Sequence, residues 1–214
     1  MKEFLKIVAK FIGGMLTAKK PSPVKNDDCC DKTKGTCTKP ACKKEYVVLD
    51  KVKELPWHET RKWGKRPLSK INKVVVHQSL TTGSLENINK YHTTPGPQNH
   101  ISAKGAPHIC YHYAIDRDAN IIKCNPHSAL VWHAKGQNTS GIGVLVCGDF
   151  DGPSYNGKDG NPTPEQVDAL DYLWTEVLSK ELGDVEIYGH YDFGKENCPG
   201  LKLEEYVKEN KANA

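Results

Sequence analysis

The sequence predicts an α/β protein, because short apolar strands alternate along it with amphipathic helices. Hydrophobic residues make up 37% of the 214 residues and charged residues 26%, which is typical of a globular chain with one good core. The strand-like runs are rich in Val, Ile and Tyr and lie at residues 46–49, 71–77, 108–115, 121–124, 141–148 and 185–188.

The first 45 residues differ in composition from the rest of the chain. Residues 1–46 hold 11 Lys against 5 Asp or Glu, a net charge of +6. Residues 47–214 hold 19 Lys or Arg against 21 Asp or Glu, a net charge of −2. A nucleic-acid-binding domain would need a basic surface on its folded part, so we expect no nucleic-acid partner. The boundaries that follow are a basic segment with a flexible linker at 1–45 and one folded domain at 46–214.

Residues 1–20 alternate lysines with large apolar side chains, and three interpretations stay open. Lys6 and Lys10 interrupt the apolar run that a secretory signal peptide needs. A basic amphipathic helix on an anionic membrane surface fits the spacing better, and a locally packed helix is the third interpretation. The linker then carries four cysteines whose spacing lacks the C-x2-C pair of zinc knuckles, which favours local disulfides or free thiols: Cys29, Cys30, Cys37 and Cys42.

Five stretches of the folded domain carry local structural signals. Ser84 is a helix cap for residues 85–92, and Thr163 with Gln166 forms a capping box for a helix that Gly183 ends. In residues 108–115, alternation predicts one strand with Ile109, Tyr111, Tyr113 and Ile115 on the same face. The run 141–148 is apolar throughout, as in a central strand, and a short closing helix is expected at 201–208.

A metal site is predicted from two strand ends. His190 follows the strand 185–188, and Cys198 lies eight positions later in a loop ending Cys-Pro-Gly. Three protein ligands with an open position make a catalytic zinc site. His77, at the end of another apolar strand, is the candidate third ligand. We therefore expect a hydrolytic His/His/Cys zinc site.

Four motifs then stand in order: VVVHQS, CYHYAIDRD, WHAKGQNTSGIGV and GHYDFGKENCPG. Together they resemble the zinc-dependent N-acetylmuramoyl-L-alanine amidases, the family shared by phage endolysins and peptidoglycan recognition proteins. The resemblance covers roughly residues 70–205. It implies a central mixed β-sheet flanked by helices, and zinc in a surface groove.

The resemblance also implies roles for particular residues. The zinc ligands would be His77, His190 and Cys198, and Tyr111 would orient water or stabilise the oxyanion. His133 and Asn138 match positions that line the substrate groove.

The chain departs from the family pattern at two places. Residues 144–146 offer no carboxylate where some members carry a glutamate. Glu196 stands where phage members often have lysine, and Lys195 is one position earlier. Either of them could contact the reacting carbonyl. The leaving amine needs a proton, which Tyr111, Glu196 or a nearby histidine could relay.

The expected reaction is hydrolysis of the amide bond between N-acetylmuramic acid and L-alanine by zinc-activated water. A peptidoglycan-binding module without turnover is the alternative, and stoichiometric zinc would discriminate the two. A cysteine peptidase is disfavoured, because a Cys-Pro-Gly loop provides no helix N-terminus to lower the thiol pKa. We expect a monomer that acts on the bacterial cell wall in the periplasm or outside the cell. A phage or prophage lysin is the favoured source, with a host autolysin as the alternative, and residues 1–20 would serve export or contact with a membrane surface.

Overall fold

The computed structural model describes residues 45–81, 83–150 and 160–212. The expectations for the amphipathic segment 1–20 and for the four linker cysteines fall outside these ranges. None of the helices within them is both long and apolar enough to cross a membrane.

Six strands form one sheet. They are β1 (Val48–Asp50), β2 (Lys73–Gln78), β3 (Tyr113–Ile115), β4 (Ile121–Lys123), β5 (Gly141–Val146) and β6 (Glu186–Gly189). Their order across the sheet is β1-β4-β3-β5-β2-β6. Only β3 and β4 pair antiparallel; every other neighbouring pair is parallel. The predicted mixed sheet is therefore confirmed.

The first helix and the helix after Thr163 begin where the local signals predict, whereas the closing helix runs to Ala212, four residues past the expected end at residue 208. Ser84 caps the first helix by accepting a hydrogen bond from the backbone N–H of Asn87. Thr163 and Gln166 form the complete capping box, and Gly183 follows the end of the third helix. The helices are α1 (Leu85–Thr93), α2 (Pro164–Tyr172), a π-helical turn (Leu173–Leu178), α3 (Ser179–Leu182) and α4 (Leu201–Ala212).

The sheet carries apolar side chains on both faces, because helices cover it from both sides. All six residues of β5 are buried. On one face, Ile142 and Val144 pack with Leu170 of α2 and Leu173 of the π-helical turn. On the other, strand residues pack with side chains of α1, and this cluster holds Leu55, Leu85, Ile88, Ile109, Ala114, Leu145, Cys124 and Cys147.

The prediction of one strand over residues 108–115 is wrong for residues 108–112. Only Tyr113–Ile115 is a strand. The Asn125 side-chain amide donates hydrogen bonds to the carbonyls of Ile109 and Tyr111, at 2.8 and 2.6 Å, in place of a neighbouring strand. The alternation breaks there: Ile109 and Tyr111 lie in one apolar cluster, whereas Tyr113 and Ile115 lie in the other.

The register of the parallel strands determines where the candidate ligands meet. β6 lies beside β2, with Val76 opposite Gly189. Because both strands run in the same direction, the next residues, His77 and His190, emerge at the same edge of the sheet. This edge positions the site.

Candidate metal centre

Three side chains converge at the end of β2 and β6. One ligand atom each from His77, His190 and Cys198 lies within 4.8 Å of the other two. The ring centroids of the two histidines are 4.5 Å apart. Within the described ranges, this is the one group of three or more His, Cys, Asp or Glu side chains that lie close enough together to hold a metal ion.

The loop after β6 folds back on itself to bring Cys198 beside His190. The Tyr191 N–H donates to the Cys198 carbonyl at 2.8 Å, and the Cys198 N–H donates to the Lys195 carbonyl at 2.9 Å. Gln78, buried at the end of β2, ties this loop to the sheet: its Nε2 donates to the Asn197 carbonyl at 2.6 Å. Backbone and side-chain hydrogen bonds thus hold the thiol near the two imidazoles.

The separation of the Cys198 sulfur and the His77 nitrogen suits a tetrahedral ion. The Cys198 Sγ lies 3.8 Å from Nδ1 of His77. A zinc ion with ordinary Zn–N and Zn–S bonds would place two such atoms about 3.6 Å apart. Two imidazoles and a thiolate are also the ligand types that zinc prefers. The residues present therefore fit a zinc ion, with a fourth position left to water or substrate.

The hydrogen-bond network assigns the metal-facing nitrogen of His77. His133 Nε2 lies 3.1 Å from the Gly141 carbonyl, which only accepts, so this nitrogen carries the proton. His133 Nδ1 then accepts from His77 Nε2 at 3.2 Å. That arrangement leaves a lone pair on His77 Nδ1, the atom that faces Cys198. A metal-ligating histidine needs such a partner on its other nitrogen.

Two glycines make room for His133. A Cβ atom at Gly143 would lie 2.6 Å from His133 Cγ, and one at Gly141 would lie 3.0 Å from His133 Cε1. The ring therefore packs on the bare backbone of β5. His133 is 6% exposed and lies behind His77. A direct contact of His133 with substrate stays a prediction.

Burial keeps both imidazoles neutral. It lowers the pKa of His77 well below the ordinary value, and His133 and His190 lower it further. Burial, with the charge of Lys195, lowers the pKa of His190 to about 4. Only neutral imidazole binds a metal ion, so both groups are ready to do so near neutral pH.

Tyr111 lies against the ligands. Its ring centroid is 5.1 Å from that of His77. Burial raises the pKa of the Tyr111 hydroxyl, and the neighbouring Cys198 raises it further. Tyr111 is therefore a proton-bearing hydrogen-bond donor near neutral pH, and its contact with the oxyanion stays a prediction.

The remaining predicted site residues lie around this centre. Lys195 and Glu196 are exposed on the loop between His190 and Cys198. Asn138 accepts hydrogen bonds through Oδ1 from the N–H groups of His133 and Ala134, at 3.0 and 2.9 Å. In this structure Asn138 holds the turn that carries His133, and its contact with substrate stays a prediction.

Sequence reasoning missed two buried polar residues behind the site, Gln78 and Arg66. Arg66 is 4% exposed, and burial lowers the pKa of its guanidinium to about 10. In the sequence it stands in a run of basic residues that is typical of a solvated loop. The one hint in the sequence to a role for Gln78 is that it directly follows the predicted ligand His77.

Comparisons with known proteins match most of the folded domain. A family model described as N-acetylmuramoyl-L-alanine amidase matches residues 67–201, more than half of the chain. The endolysin of Enterobacteria phage T3 is 29% identical over 150 residues, which are 68% of this chain and 91% of that protein.

Solved structures share the fold. N-acetylmuramoyl-L-alanine amidase LysC from Clostridium intestinale URNW matches with a TM-score of 0.57 and 22% identity, covering 79% of this chain and 99% of that one. Drosophila peptidoglycan recognition protein SD matches with a TM-score of 0.62 and 15% identity, covering 77% and 95%. At these identities the likeness is one of fold alone.

Proposed function

The chain belongs to the N-acetylmuramoyl-L-alanine amidase family, and from that premise we propose that it is a phage lysin with a zinc centre held by His77, His190 and Cys198. The enzyme hydrolyses the amide bond between N-acetylmuramic acid and the L-alanine of the stem peptide. The observation that carries the zinc proposal is the convergence of two imidazole nitrogens and one thiol sulfur within 4.8 Å. Similarity to phage endolysins supports the phage origin.

A zinc ion at this site would lower the pKa of a water molecule to about 7 and polarise the scissile carbonyl. The protein contributes by keeping its ligands in the right protonation state. Neutral His77 and His190 with one thiolate at Cys198 would leave the ion a net charge of +1. The centre would therefore remain electrophilic.

Tyr111 is proposed to donate a hydrogen bond to the oxyanion. Its raised pKa keeps the phenol protonated, and its ring borders His77. A preorganised donor of this kind is worth about 3 kcal/mol in the transition state. The same raised pKa argues against Tyr111 as the general base.

Lys195 and Glu196 are proposed to act on the solvent side of the centre. Lys195 lies on the exposed loop between His190 and Cys198, and its positive charge lowers the pKa of both His190 and His100. We assign Lys195 to the developing negative charge on the carbonyl oxygen. Glu196 is assigned to proton delivery to the leaving amine, since β5 offers no carboxylate for that task.

A digest of purified peptidoglycan tests this function. New L-alanine amino termini without new reducing sugars, abolished by a chelator and restored by zinc, are the expected result. Binding to the wall at full zinc occupancy, but without new ends, would instead favour a peptidoglycan-recognition module.

A further inference from the structure

A buried chain of hydrogen bonds runs from Arg66 to the candidate ligand His77. Its first link is the guanidinium of Arg66, which donates through Nη1 to the carbonyls of Asn138 and Gly141 at 2.7 and 2.6 Å. Its Nε donates to the carbonyl of His127 at 2.9 Å. Three carbonyls from both ends of one loop thus meet at a single cation.

The cation has no acidic partner in the part of the chain that the structure describes. His112 Nε2 lies 2.9 Å from Arg66 Nη2, but His112 Nδ1 accepts the N–H of Gly143, so the proton of a neutral ring is on Nε2. That contact is therefore not a hydrogen bond. Burying a guanidinium without a carboxylate is costly. A position that tolerates such a cost is a candidate for a functional role.

The second link is the Gly141 carbonyl, which Arg66 and His133 share. A carbonyl oxygen has two lone pairs, so it accepts from Arg66 Nη1 and from His133 Nε2 together. Arg66 thereby fixes the acceptor that orients the His133 ring. The ring in turn accepts from His77 Nε2 and leaves His77 Nδ1 facing Cys198.

We propose that Arg66, the Gly141 carbonyl and His133 form a relay that selects Nδ1 of His77 as its metal-binding atom. Arg66 and His133 are positioning residues in this relay, since they act through His77. The inference rests on the proposed zinc centre. It adds what the ligand set alone does not specify: which nitrogen binds, and what holds it there.

Three variants of buried histidines test the relay. His133→Phe keeps a flat ring but removes both the acceptor and the donor. His133→Gln retains one acceptor and one donor at similar spacing. His108→Phe is the matched control, because His108 is also fully buried and bonded to Asn125 and the Leu55 carbonyl.

The first readout is the zinc dissociation constant of the whole protein, from competition with a chromophoric chelator. We expect His133→Phe to weaken zinc binding about 10- to 100-fold, as loss of an outer partner typically does. His133→Gln should recover most of that loss, and His108→Phe should bind zinc like the wild type. Arg66→Lys keeps a charged nitrogen but loses the separate Nε contact with the His127 carbonyl, and it is expected to weaken binding as well.

The second readout needs no metal. A long-range proton–nitrogen NMR spectrum of the metal-free protein reports which His77 nitrogen carries the proton. The relay predicts Nε2 in the wild type and in His133→Gln, and a mixture in His133→Phe. Wild-type zinc affinity and an unchanged tautomer in folded His133→Phe would overturn the relay alone. Failure of the wild type to bind zinc would overturn the zinc centre and this inference with it.

Discussion

Replacing Gly143 by alanine should disturb the metal centre without touching a ligand. The added Cβ would lie 2.6, 2.8 and 3.0 Å from His133 Cγ, Cβ and Cδ2, where ordinary contacts begin at 3.4 Å. The first of these atoms must therefore retreat by about 0.8 Å. The two nearest atoms, Cγ and Cβ of His133, belong to the root of the side chain, so rotation of the ring cannot relieve the contact.

The magnitude follows from two opposing effects. Overpacking a core by one methyl group costs about 1–3 kcal/mol. Alanine also restricts the unfolded chain, which returns about 0.4–1 kcal/mol. We expect metal-free Gly143→Ala to lose about 1–2 kcal/mol in its free energy of unfolding. Displacement of His133 should weaken zinc binding about tenfold.

Urea unfolding of the metal-free protein and zinc competition measure the two effects. Gly96→Ala is the control, because a Cβ there meets nothing within 4 Å. If Gly143→Ala matched Gly96→Ala in both assays, the idea that His133 needs a bare strand beneath it would be refuted.

Four further outcomes are expected. Cys198→Ser should lose bound zinc and hydrolysis, since the thiolate supplies the only negative charge of the ligand set; atomic absorption showing one zinc per chain would contradict this. Tyr111→Phe should lower kcat about 100-fold with zinc content unchanged, and an unchanged kcat would remove Tyr111 from the oxyanion contact. Burial lowers the pKa of His92 and of His127 to about 4. Both rings thus bind protons near pH 6.5 in the unfolded chain but only near pH 4 in the folded one, so protons favour the unfolded state between these values. The urea midpoint of the metal-free protein should therefore fall as the pH drops from 6.5 to 4, and a midpoint that did not change would contradict this reasoning. Deleting residues 1–45 should spare hydrolysis of purified wall and reduce lysis of whole cells; equal lysis would argue against a delivery role for that segment.

The sequence was informative where a pattern repeats along several residues. Apolar runs predicted the strands that end at His77 and His190, and parallel pairing then brings the two side chains together. Prediction failed where one side chain replaces a regular interaction. Asn125 satisfies carbonyls of residues 109 and 111 that a strand partner would otherwise bind, and no local pattern indicates this.

Arg66 and Gln78 could not be found for a related reason. A buried arginine and a solvated one look alike in a basic stretch, because burial is decided by residues far away in the chain. Arg66 bonds to carbonyls 61, 72 and 75 positions later. Gln78 bonds to a carbonyl 119 positions later. Only the closed fold brings these partners within reach.

The outer partner of His77 bears on how strongly the centre would act on a carbonyl. In many metal sites a carboxylate accepts the second N–H of a ligating histidine and makes the ring more basic. Here the acceptor is the imidazole of His133, whose pKa burial lowers to about 3. A neutral acceptor adds no negative charge, so the donation of His77 to the ion is increased less. With Cys198 already supplying one negative charge, a neutral partner would preserve the electrophilic character that attack on an amide requires.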